Sequence, residues 1–337
     1  MTAMRALVAR TVGEPADVLE LREVPVPEPG PGQVLVRVEA APIHPSDLHM
    51  VRGRYGIAPS FPAVLGTESV GTVAAAGDAV KSVRVGDRVI TLGATGTWQE
   101  FVLADRVLPV PATMSRSTAC QLIASPVTAW LLVTSEVRAQ PDDWLLQTAA
   151  GSTVGKLVLQ LSRHVGFRTI NVVRRRAAVE EIVALGGTEV ICTEDEDLGA
   201  RVAAVTGGGG VTKAIDCVAG EVGAEVSRAL APGGVHVVYG ALATHRQTDP
   251  DELTLPLFAR SLIYGTKTVR GFWLYRWFMT TPPERIGKTL TEVVSLVARG
   301  VMTIPEGQPF TLAQAADAVR LAEAPAHGPK PYFLLAG

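Results

Sequence analysis

Cysteine is scarce in this chain, which has only three cysteines among 337 residues: Cys120, Cys192 and Cys217. They lie far apart and match neither the ligand spacing of a zinc site nor a disulfide framework. An odd, sparse set of cysteines is typical of a reducing compartment. We therefore expect an intracellular protein without structural disulfides.

Aromatic residues and net charge are also low, at 5% and −2. A nucleic-acid-binding protein usually presents a basic face, and single-strand binders add aromatic stacking platforms, so both classes are disfavoured. Long apolar runs are missing as well, since no stretch of about 18 residues is apolar and uncharged. The opening "MTAMRALVAR" lacks the apolar core of a signal peptide. These absences predict a cytoplasmic protein that binds neither nucleic acid nor membrane.

The chain contains two kinds of secondary-structure pattern. Up to about residue 110, short alternating segments such as "GQVLVRVEAA" are divided by glycine and proline turns, which predicts a barrel-like or sandwich-like β domain. A helical pattern begins near residue 118. Beyond it strands and helices alternate, and the tail "PKPYFLLAG" is expected to return to the first domain as a strand.

Six predicted strands follow one another in this second region. They are "WLLQTAA", "FRTINVV", "TEVICT", "VTKAIDCV", "GGVHVVYG" and "SLIYGTKTV". Strands that alternate with helices predict a doubly wound, six-stranded parallel sheet, the dinucleotide-binding (Rossmann) architecture. The fold class is therefore α/β, with a β-rich domain beside it.

The segment "AGSTVG" connects the first of these strands to a helix. A dinucleotide fold needs small residues at this turn, because the backbone must approach the pyrophosphate closely at the helix N-terminus. The G-x-G-x-x-G fingerprint is met here by Ala150, Ser152 and Gly155, so only the last glycine is kept. Small residues at such turns are common, and the position between strand and helix favours phosphate binding over a purely structural turn.

Three consecutive arginines, Arg174, Arg175 and Arg176, follow the second strand, 22 residues after Ser152. An NAD-binding protein would place an acidic residue there to bind the ribose 2′-hydroxyl. Arginine instead suits a 2′-phosphate, so the predicted cofactor is NADPH. If the segment stays extended, Arg174 and Arg176 share a face and Arg175 is solvated. A solvated charge run is the alternative.

Histidines could indicate a metal, and "PIHPSDLH" contains His44, Asp47 and His49. A catalytic zinc site needs three well-placed ligands, and no cysteine lies nearby. We predict that these are loop or core histidines and that there is no metal.

The whole pattern resembles the medium-chain dehydrogenase/reductase superfamily, with a β-rich GroES-like catalytic domain (1–122 and 268–337) and an inserted Rossmann domain (123–267). "GTESVG" has Thr67 where the zinc-binding members carry histidine, which favours the zinc-independent branch. The segments "PSDLHMVRGRYG", "PAVLGTESVG", "GTWQEF", "RTINVVRRR" and "VRGFWLYRW" resemble the mitochondrial-type 2-enoyl thioester reductases. The resemblance covers nearly the whole chain.

That resemblance implies a set of site residues. Tyr55 would be the catalytic hydrogen donor, and Trp273 would line the substrate pocket with it. The implied cofactor-binding residues are Ser125, Gly151, Ser152, Thr153, Val154, Gly155, Arg174, Arg175, Arg176, Tyr239, Gly240, Ala241, Leu242, Phe272, Trp273, Leu274, Tyr275 and Lys330.

Two departures from the family pattern stand out. Ser125-Pro126 replaces the family's Asn-Pro, which predicts that this cofactor contact is either shorter or lost. "GRYG" replaces "GTYP", so Arg54 adds a charge beside Tyr55. Because of this charge, a substrate other than the family's usual acyl thioester stays an alternative.

The resemblance implies NADPH-dependent reduction of the α,β double bond of a 2-enoyl thioester. The alternatives are a quinone or enone reductase, a biosynthetic reductase of another conjugated carbonyl, and an NADPH-binding scaffold without activity. Acyl chain length, and the choice between CoA and acyl carrier protein, stay open. The last Rossmann strand has an exposed edge that could pair with its copy, which predicts a homodimer.

Overall fold

The computed structural model describes residues 2–244, 247, 249, 253–324 and 328–335. Its residues group into two compact units, 1–124 with 305–337, and 125–304. The first unit is mostly β and the second alternates strand and helix, as the α/β fold class predicts. None of the helices in the described ranges has the length and apolar character that crossing a bilayer requires.

The first unit contains a three-stranded sheet, in the order β2-β1-β4, and a seven-stranded sheet. The larger sheet runs β15-β16-β3-β5-β6-β8, with β7 also paired to β3. Its strands and those of the small sheet are β1 (Ala3–Ala9), β2 (Leu19–Pro25), β3 (Val34–Pro42), β4 (Ala63–Val64), β5 (Val70–Ala76), β6 (Arg88–Thr91), β7 (Phe101–Ala104), β8 (Val107–Pro109), β15 (Gln308–Phe310) and β16 (Pro331–Leu334). The C-terminal β16 pairs with β3, which confirms the predicted return of the tail.

The part of this unit that the structure describes also has four short α-helices: α1 (Pro15–Val18), α2 (Pro45–Val51), α3 (Arg116–Ala119) and α12 (Ala315–Glu323). Helix α2 starts where a proline stands at its first position and the Asp47 carboxylate accepts the His44 N–H at 2.8 Å. Proline has no N–H to lose there, and the carboxylate satisfies an otherwise unpaired donor. The chain is thereby fixed at the start of the helix that leads to Tyr55.

The second unit contains one parallel sheet in the order β11-β10-β9-β12-β13-β14. Its strands are β9 (Trp144–Gln147), β10 (Arg168–Val173), β11 (Glu189–Cys192), β12 (Val211–Asp216), β13 (Leu230–Val238) and β14 (Thr268–Gly271). This order reverses between β9 and β12, and ligands of such sheets bind at the carboxyl ends beside that reversal. The predicted doubly wound sheet is confirmed.

Among its described residues this unit has eight α-helices: α4 (Ala124–Leu131), α5 (Thr153–Val165), α6 (Val179–Ala184), α7 (Leu198–Thr206), α8 (Gly220–Arg228), α9 (Ala259–Tyr264), α10 (Leu274–Thr280) and α11 (Pro283–Ala298). A π-helical turn, Leu132–Glu136, continues α4. Short 3₁₀ helices span Arg176–Ala178 and Leu242–Thr244 here, and Leu312–Gln314 in the first unit.

The sixth strand and the second domain boundary differ from the prediction. "SLIYGTKTV" was expected to be one strand, but its first half lies in α9 and only Thr268–Gly271 is extended. Because β14 pairs with β13, residues 268–304 belong with the Rossmann sheet rather than with the GroES-like unit. The boundary therefore lies at 304/305 instead of 267/268.

Candidate cofactor site and a buried ionic cluster

The turn between β9 and α5 is built to present backbone N–H groups. Ala149 takes a left-handed conformation (φ 47°), and the Ala150 N–H donates to the Val172 carbonyl at 3.2 Å. Ser152 then caps the 13-residue helix α5, its Oγ accepting the Gly155 N–H at 3.1 Å. The capped helix N-terminus favours an anion, because its first amides and the helix dipole point there.

Two glycines show how closely the backbone packs at this edge. A Cβ on Gly155 would lie 2.5 Å from the Ala150 carbonyl oxygen, so only glycine lets α5 approach the turn. A Cβ on Gly240 would lie 3.0 Å from the Cys217 Cβ and carbonyl oxygen. Gly151, in contrast, has no atom within 4 Å of that position. The backbone is therefore closely packed at Gly155 and Gly240, whereas the space at Gly151 is open, as the close approach of a pyrophosphate requires.

A buried polar pair, Gln147 on β9 and Asn171 on β10, stabilises this turn by hydrogen bonds. The Gln147 amide donates to the Asn171 Oδ1 at 2.7 Å and to the Gly155 carbonyl at 3.2 Å. This pair was not predicted from the sequence. Its signal is that Gln147 ends the apolar run of β9 and Asn171 stands between apolar neighbours in β10, and buried polar groups need partners.

The carboxyl ends of β12 and β13 bring Cys217 and Tyr239 to the same edge of the sheet. The Tyr239 hydroxyl is buried near Cys217 and Ser152 and makes no hydrogen bond of standard geometry among the described residues. Burial, together with nearby Cys217, raises the pKa of Tyr239, so the hydroxyl stays protonated. A buried hydroxyl without a well-formed hydrogen bond, beside the phosphate turn, fits the acceptor oxygens that NADPH supplies.

Asp216 and Thr148 hold that edge rigid. The Thr148 hydroxyl donates to Asp216 at 2.5 Å, and the backbone amides of Val218 and Ala219 donate to the same carboxylate. Burial would raise the pKa of Asp216, but these bonds and His236 hold it below its usual value. The turn after β12 is therefore fixed by an ionised, fully buried carboxylate.

The three arginines alternate in exposure, but the solvated side differs from the prediction. Strand β10 ends at Val173, Arg175 keeps an extended backbone, and Arg176 begins a 3₁₀ helix. Arg174 and Arg176 are exposed, and Arg175 is the more buried one rather than the solvated one. The Arg176 guanidinium pairs with Asp195 at 2.5 Å, which raises its pKa, and its N–H donates to Glu194 at 3.2 Å. A 2′-phosphate at Arg176 would have to compete with Asp195.

Replacing Asp195 with asparagine is therefore expected to lower the KM for NADPH several-fold and to leave the KM for NADH unchanged. The substitution removes both the partner of Arg176 and a negative charge facing the phosphate, at an exposed site where each effect is small. Steady-state kinetics with both cofactors measures it. Glu189→Gln, which removes a charge paired with Arg201 instead, is the control, and equal changes for both cofactors would contradict the assignment.

The remaining implied cofactor residues of this unit lie in three places. Thr153 and Val154 open α5, while Ala241 and Leu242 follow Gly240 into the short helix Leu242–Thr244. Ser125 is buried within α4. Phe272 follows β14 directly, and Leu274 opens α10, while the rings of Trp273 and Tyr275 lie 5.2 Å apart. Their roles as cofactor or pocket residues stay predictions.

Tyr55 lies in the first unit, in the loop after α2. It is half-buried and packs against the apolar core of that unit. The loop is anchored by Arg52, which pairs with Glu14 and Glu323 and is only 3% exposed. Arg54, the departure beside Tyr55, is partly buried near this cation, and desolvation and Arg52 lower its pKa. The loop is therefore tied to two helices just before the proposed donor.

A polar cluster lies in the same unit, with His44, Asp47 and Glu68 buried and Thr67 and Lys330 partly buried. His44 Nε2 lies 2.9 Å from Glu68, and the Lys330 ammonium lies 2.9 Å from His44 Nδ1. Thr67, at the position of the zinc-binding family's histidine, donates its hydroxyl to Asp47 at 2.8 Å. The described residues contain no group of three or more His, Cys, Asp or Glu arranged to hold a metal; the absence of a metal stays a prediction.

Family comparisons agree with both units. Residues 30–112 match the alcohol dehydrogenase GroES-like domain, and residues 153–295 match the zinc-binding dehydrogenase family. The bovine mitochondrial enoyl-[acyl-carrier-protein] reductase is 34% identical over 311 residues, which cover 90% of this chain and 81% of that protein. The human enzyme is 34% identical over 309 residues, with the same coverage.

Solved structures give the same architecture. A putative NADPH:quinone reductase from Bacillus thuringiensis superposes with a TM-score of 0.91 at 29% identity, covering 99% of both chains. The mitochondrial 2-enoyl thioester reductase heterodimer from Candida tropicalis superposes with a TM-score of 0.84 at 24% identity, covering 99% of this chain and 100% of that one, which shows the fold alone. The chain therefore belongs to the enoyl-[acyl-carrier-protein] reductase family of the medium-chain dehydrogenase/reductase superfamily.

Proposed function

We propose that this protein reduces the α,β double bond of a 2-enoyl thioester with NADPH. The observation that carries the proposal is the similarity to enoyl-[acyl-carrier-protein] reductases along 90% of the chain. The capped phosphate turn and the arginines after β10 are consistent with NADPH as the cofactor, because they offer amides to a pyrophosphate and guanidinium groups to a 2′-phosphate.

When bound, NADPH supplies a hydride to the β-carbon, and a proton then reaches the α-carbon. The chain's own residues bind and orient the reactants. The turn from Gly151 to Gly155 would hold the pyrophosphate, and Arg174 to Arg176 would select the 2′-phosphate. Tyr55 would donate a hydrogen bond to the thioester oxygen as negative charge develops there.

A quinone or enone reductase is the second candidate. It is favoured by the structural similarity to a protein described as a putative NADPH:quinone reductase, at 29% identity. Both reactions use NADPH and a conjugated carbonyl acceptor, so the cofactor unit does not separate them. A reductase of another conjugated carbonyl is a close variant, and Arg54 beside Tyr55 is the residue that would favour it.

A screen of NADPH oxidation separates these candidates. Crotonyl-CoA, longer enoyl thioesters and a quinone are offered to the full chain at equal concentrations. The proposed function predicts the highest kcat/KM with an enoyl thioester. A preference for the quinone would select the alternative, and no oxidation with any acceptor, despite tight NADPH binding, would select an inactive NADPH-binding protein.

We also propose a homodimer through β14. This strand lies at the end of the six-stranded sheet, and an edge strand offers unpaired backbone groups to its copy. The preceding α9 exposes Ile263 and Tyr264, 65% and 80% accessible. Light scattering on the purified chain measures the mass of the assembly and tests the dimer.

We propose that the protein acts in fatty-acid metabolism in the cytoplasm. The curated relatives are named mitochondrial, so cell fractionation tests this location.

A further inference from the structure

A buried histidine, His236 on β13, lies beside the carboxylate that fixes the turn after β12. Its Nε2 lies 3.4 Å from Asp216, and its Nδ1 lies 2.8 Å from the Ser227 hydroxyl of α8. The side chains of His236 and Asp216 are both 0% exposed. Burying two ionisable groups costs desolvation free energy, which their mutual attraction must offset. Neither His236 nor Ser227 is among the predicted cofactor or pocket residues, so this contact needs another role.

The direction of these contacts follows from Asp216. An ionised carboxylate only accepts, so the ring must present an N–H on Nε2. In a neutral ring Nδ1 then accepts the Ser227 hydroxyl. In a charged ring Nδ1 donates to that oxygen, and the hydroxyl donates to the Gly223 carbonyl, 3.1 Å away. His236 therefore supports the negative charge of Asp216 in either protonation state.

The turn that Asp216 holds is strained. Ala219 has φ 57° and ψ −151°, close to a backbone region that glycine alone occupies readily. Its N–H donates to the Asp216 carboxylate at 3.1 Å, and the Val218 N–H donates to the same carboxylate at 2.8 Å. Bonds from amides to an ionised carboxylate are charge-assisted and stronger than neutral ones. The strained conformation therefore depends on the negative charge of Asp216.

Two neighbouring turns depend on the same carboxylate. Thr148, directly before the phosphate turn, donates its hydroxyl to Asp216 and accepts the Cys217 N–H at 3.0 Å. The Cys217 carbonyl accepts the Leu242 N–H at 2.8 Å, which ties the turn after β13 to the turn after β12. Asp216 thus connects three turns at the carboxyl edge of the sheet, where ligands of doubly wound folds bind.

We propose that His236 is a positioning residue for NADPH binding, because it keeps the Asp216 carboxylate charged and in place and so holds the turns after β9, β12 and β13 in their binding arrangement. This inference rests on the proposed function for the place where NADPH binds. The histidine has no exposed surface, so it would act through Asp216 without touching the cofactor.

The ionisable groups near Asp216, within the described ranges, are His236, Cys217 and Tyr239. Burial raises the pKa of Cys217 to about 12 and raises that of Tyr239 as well, so both stay neutral. The Lys267 ammonium donates to two carbonyls at the end of α8 instead. Burial alone would raise the pKa of Asp216, and the contact with His236 is foremost among the effects that hold it low. Removing His236 should therefore move protonation of the carboxylate to higher pH.

The first test is amide hydrogen exchange in NADPH-free protein, with His236→Leu compared with the wild type. The amides of Val218, Ala219 and Leu242 should exchange about tenfold faster in the variant, because the charge that holds their turns is weakened. Amides within β10 and β11 should keep their protection. The same comparison is made on Asp216→Asn, which keeps the side-chain shape and removes the charge.

The second test is the dissociation constant of NADPH, followed by its fluorescence between about pH 6 and pH 8. The lowered pKa keeps Asp216 charged in the wild type throughout this range, and the charge is lost only as the pH falls through that pKa. His236→Leu should bind about fivefold more weakly at the alkaline end. The ratio of its dissociation constant to that of the wild type should grow as the pH falls, and taking the ratio cancels the titration of the cofactor's own phosphate.

Two further variants complete the pH series. Asp216→Asn should weaken binding about tenfold, by a ratio that does not change with pH, because no carboxylate remains to be protonated. His236→Gln keeps an N–H donor beside the carboxylate and should bind within about threefold of the wild type.

The matched control is Asp143→Asn. This substitution removes a carboxylate that pairs with Lys213 near the opposite end of β12. It should change neither the exchange of the three amides nor the dissociation constant. Thermal unfolding of each variant identifies any loss of folding.

Three results would overturn the inference. Wild-type exchange and affinity in His236→Leu would show that the turns do not depend on the histidine. Faster exchange throughout the second unit, with a ratio of dissociation constants that is constant with pH, would make His236 a residue of general stability only. Equal impairment in His236→Gln and His236→Leu would show that the N–H donor is not what acts. The exchange data need no cofactor, and turnover of an enoyl thioester by the wild type decides the proposed function separately.

Discussion

Tyr55→Phe is expected to reduce kcat/KM for an enoyl thioester by at least about a hundredfold while the dissociation constant of NADPH stays unchanged. Removing one donor aimed at a developing oxyanion typically has an effect of this size on the rate. Phenylalanine keeps the ring that packs against the core of the first unit, so folding should be preserved. Stopped-flow reduction at saturating NADPH measures the chemical step directly.

The control for this variant is Tyr264→Phe, at an exposed tyrosine in α9. It should retain wild-type turnover. If Tyr55→Phe also retained full turnover, the hydroxyl would not be the donor, and the Tyr55 assignment would have to be withdrawn. A loss confined to the KM of the thioester, with kcat unchanged, would make Tyr55 a binding residue only.

The second large effect is expected from the double variant Arg174→Ala and Arg176→Ala. The KM for NADPH should rise about ten- to a hundredfold, whereas the KM for NADH should change about twofold or less. Bonds between guanidinium and phosphate are charge-assisted, and exposure to solvent reduces what each contributes. Initial-rate kinetics with both cofactors provides the comparison.

Arg168→Ala supplies the matched loss of charge. This arginine begins β10, at the opposite end of the strand from Arg174, and its guanidinium lies 4.3 Å from the centre of the Trp144 ring. The KM for NADPH should hardly change in it. An equal rise for NADPH and NADH in the double variant would show that the arginines do not select the 2′-phosphate. The single variant Arg175→Ala then becomes informative, because Arg175 is the most buried of the three.

The doubly wound sheet could be predicted because its signals are local. Buried parallel strands are apolar runs, and each helix between them repeats every 3.6 residues, so "FRTINVV" and "STVGKLVLQLSRHVG" are recognisable alone. "SLIYGTKTV" was misassigned because a short apolar run is compatible with either a helix or a strand. Here Ala259–Tyr264 is helical, and only pairing with β13 makes Thr268–Gly271 a strand.

The partners of the three arginines could not be predicted from residue spacing. Their position after the second strand was available from the sequence, but their directions depended on where β10 ends. A 3₁₀ helix begins at Arg176. The guanidinium of this residue donates a hydrogen bond to Asp195, which lies 19 residues later in the sequence. The spacing of residues in the sequence predicts their positions along a strand or helix. It does not predict which acidic residue of another loop forms an ion pair with them.

The sequence by itself determined that the chain has a β-rich domain and a dinucleotide-binding domain, that small residues form the phosphate turn, and that arginine stands where an NAD-binding protein has an acid. Only the tertiary structure decided that Lys330 meets His44, 286 residues away, and that Glu68 completes the chain. The physical reason is that secondary structure and turns follow from neighbouring residues, whereas a buried hydrogen-bonded cluster forms when strands and loops distant in sequence pack against one another.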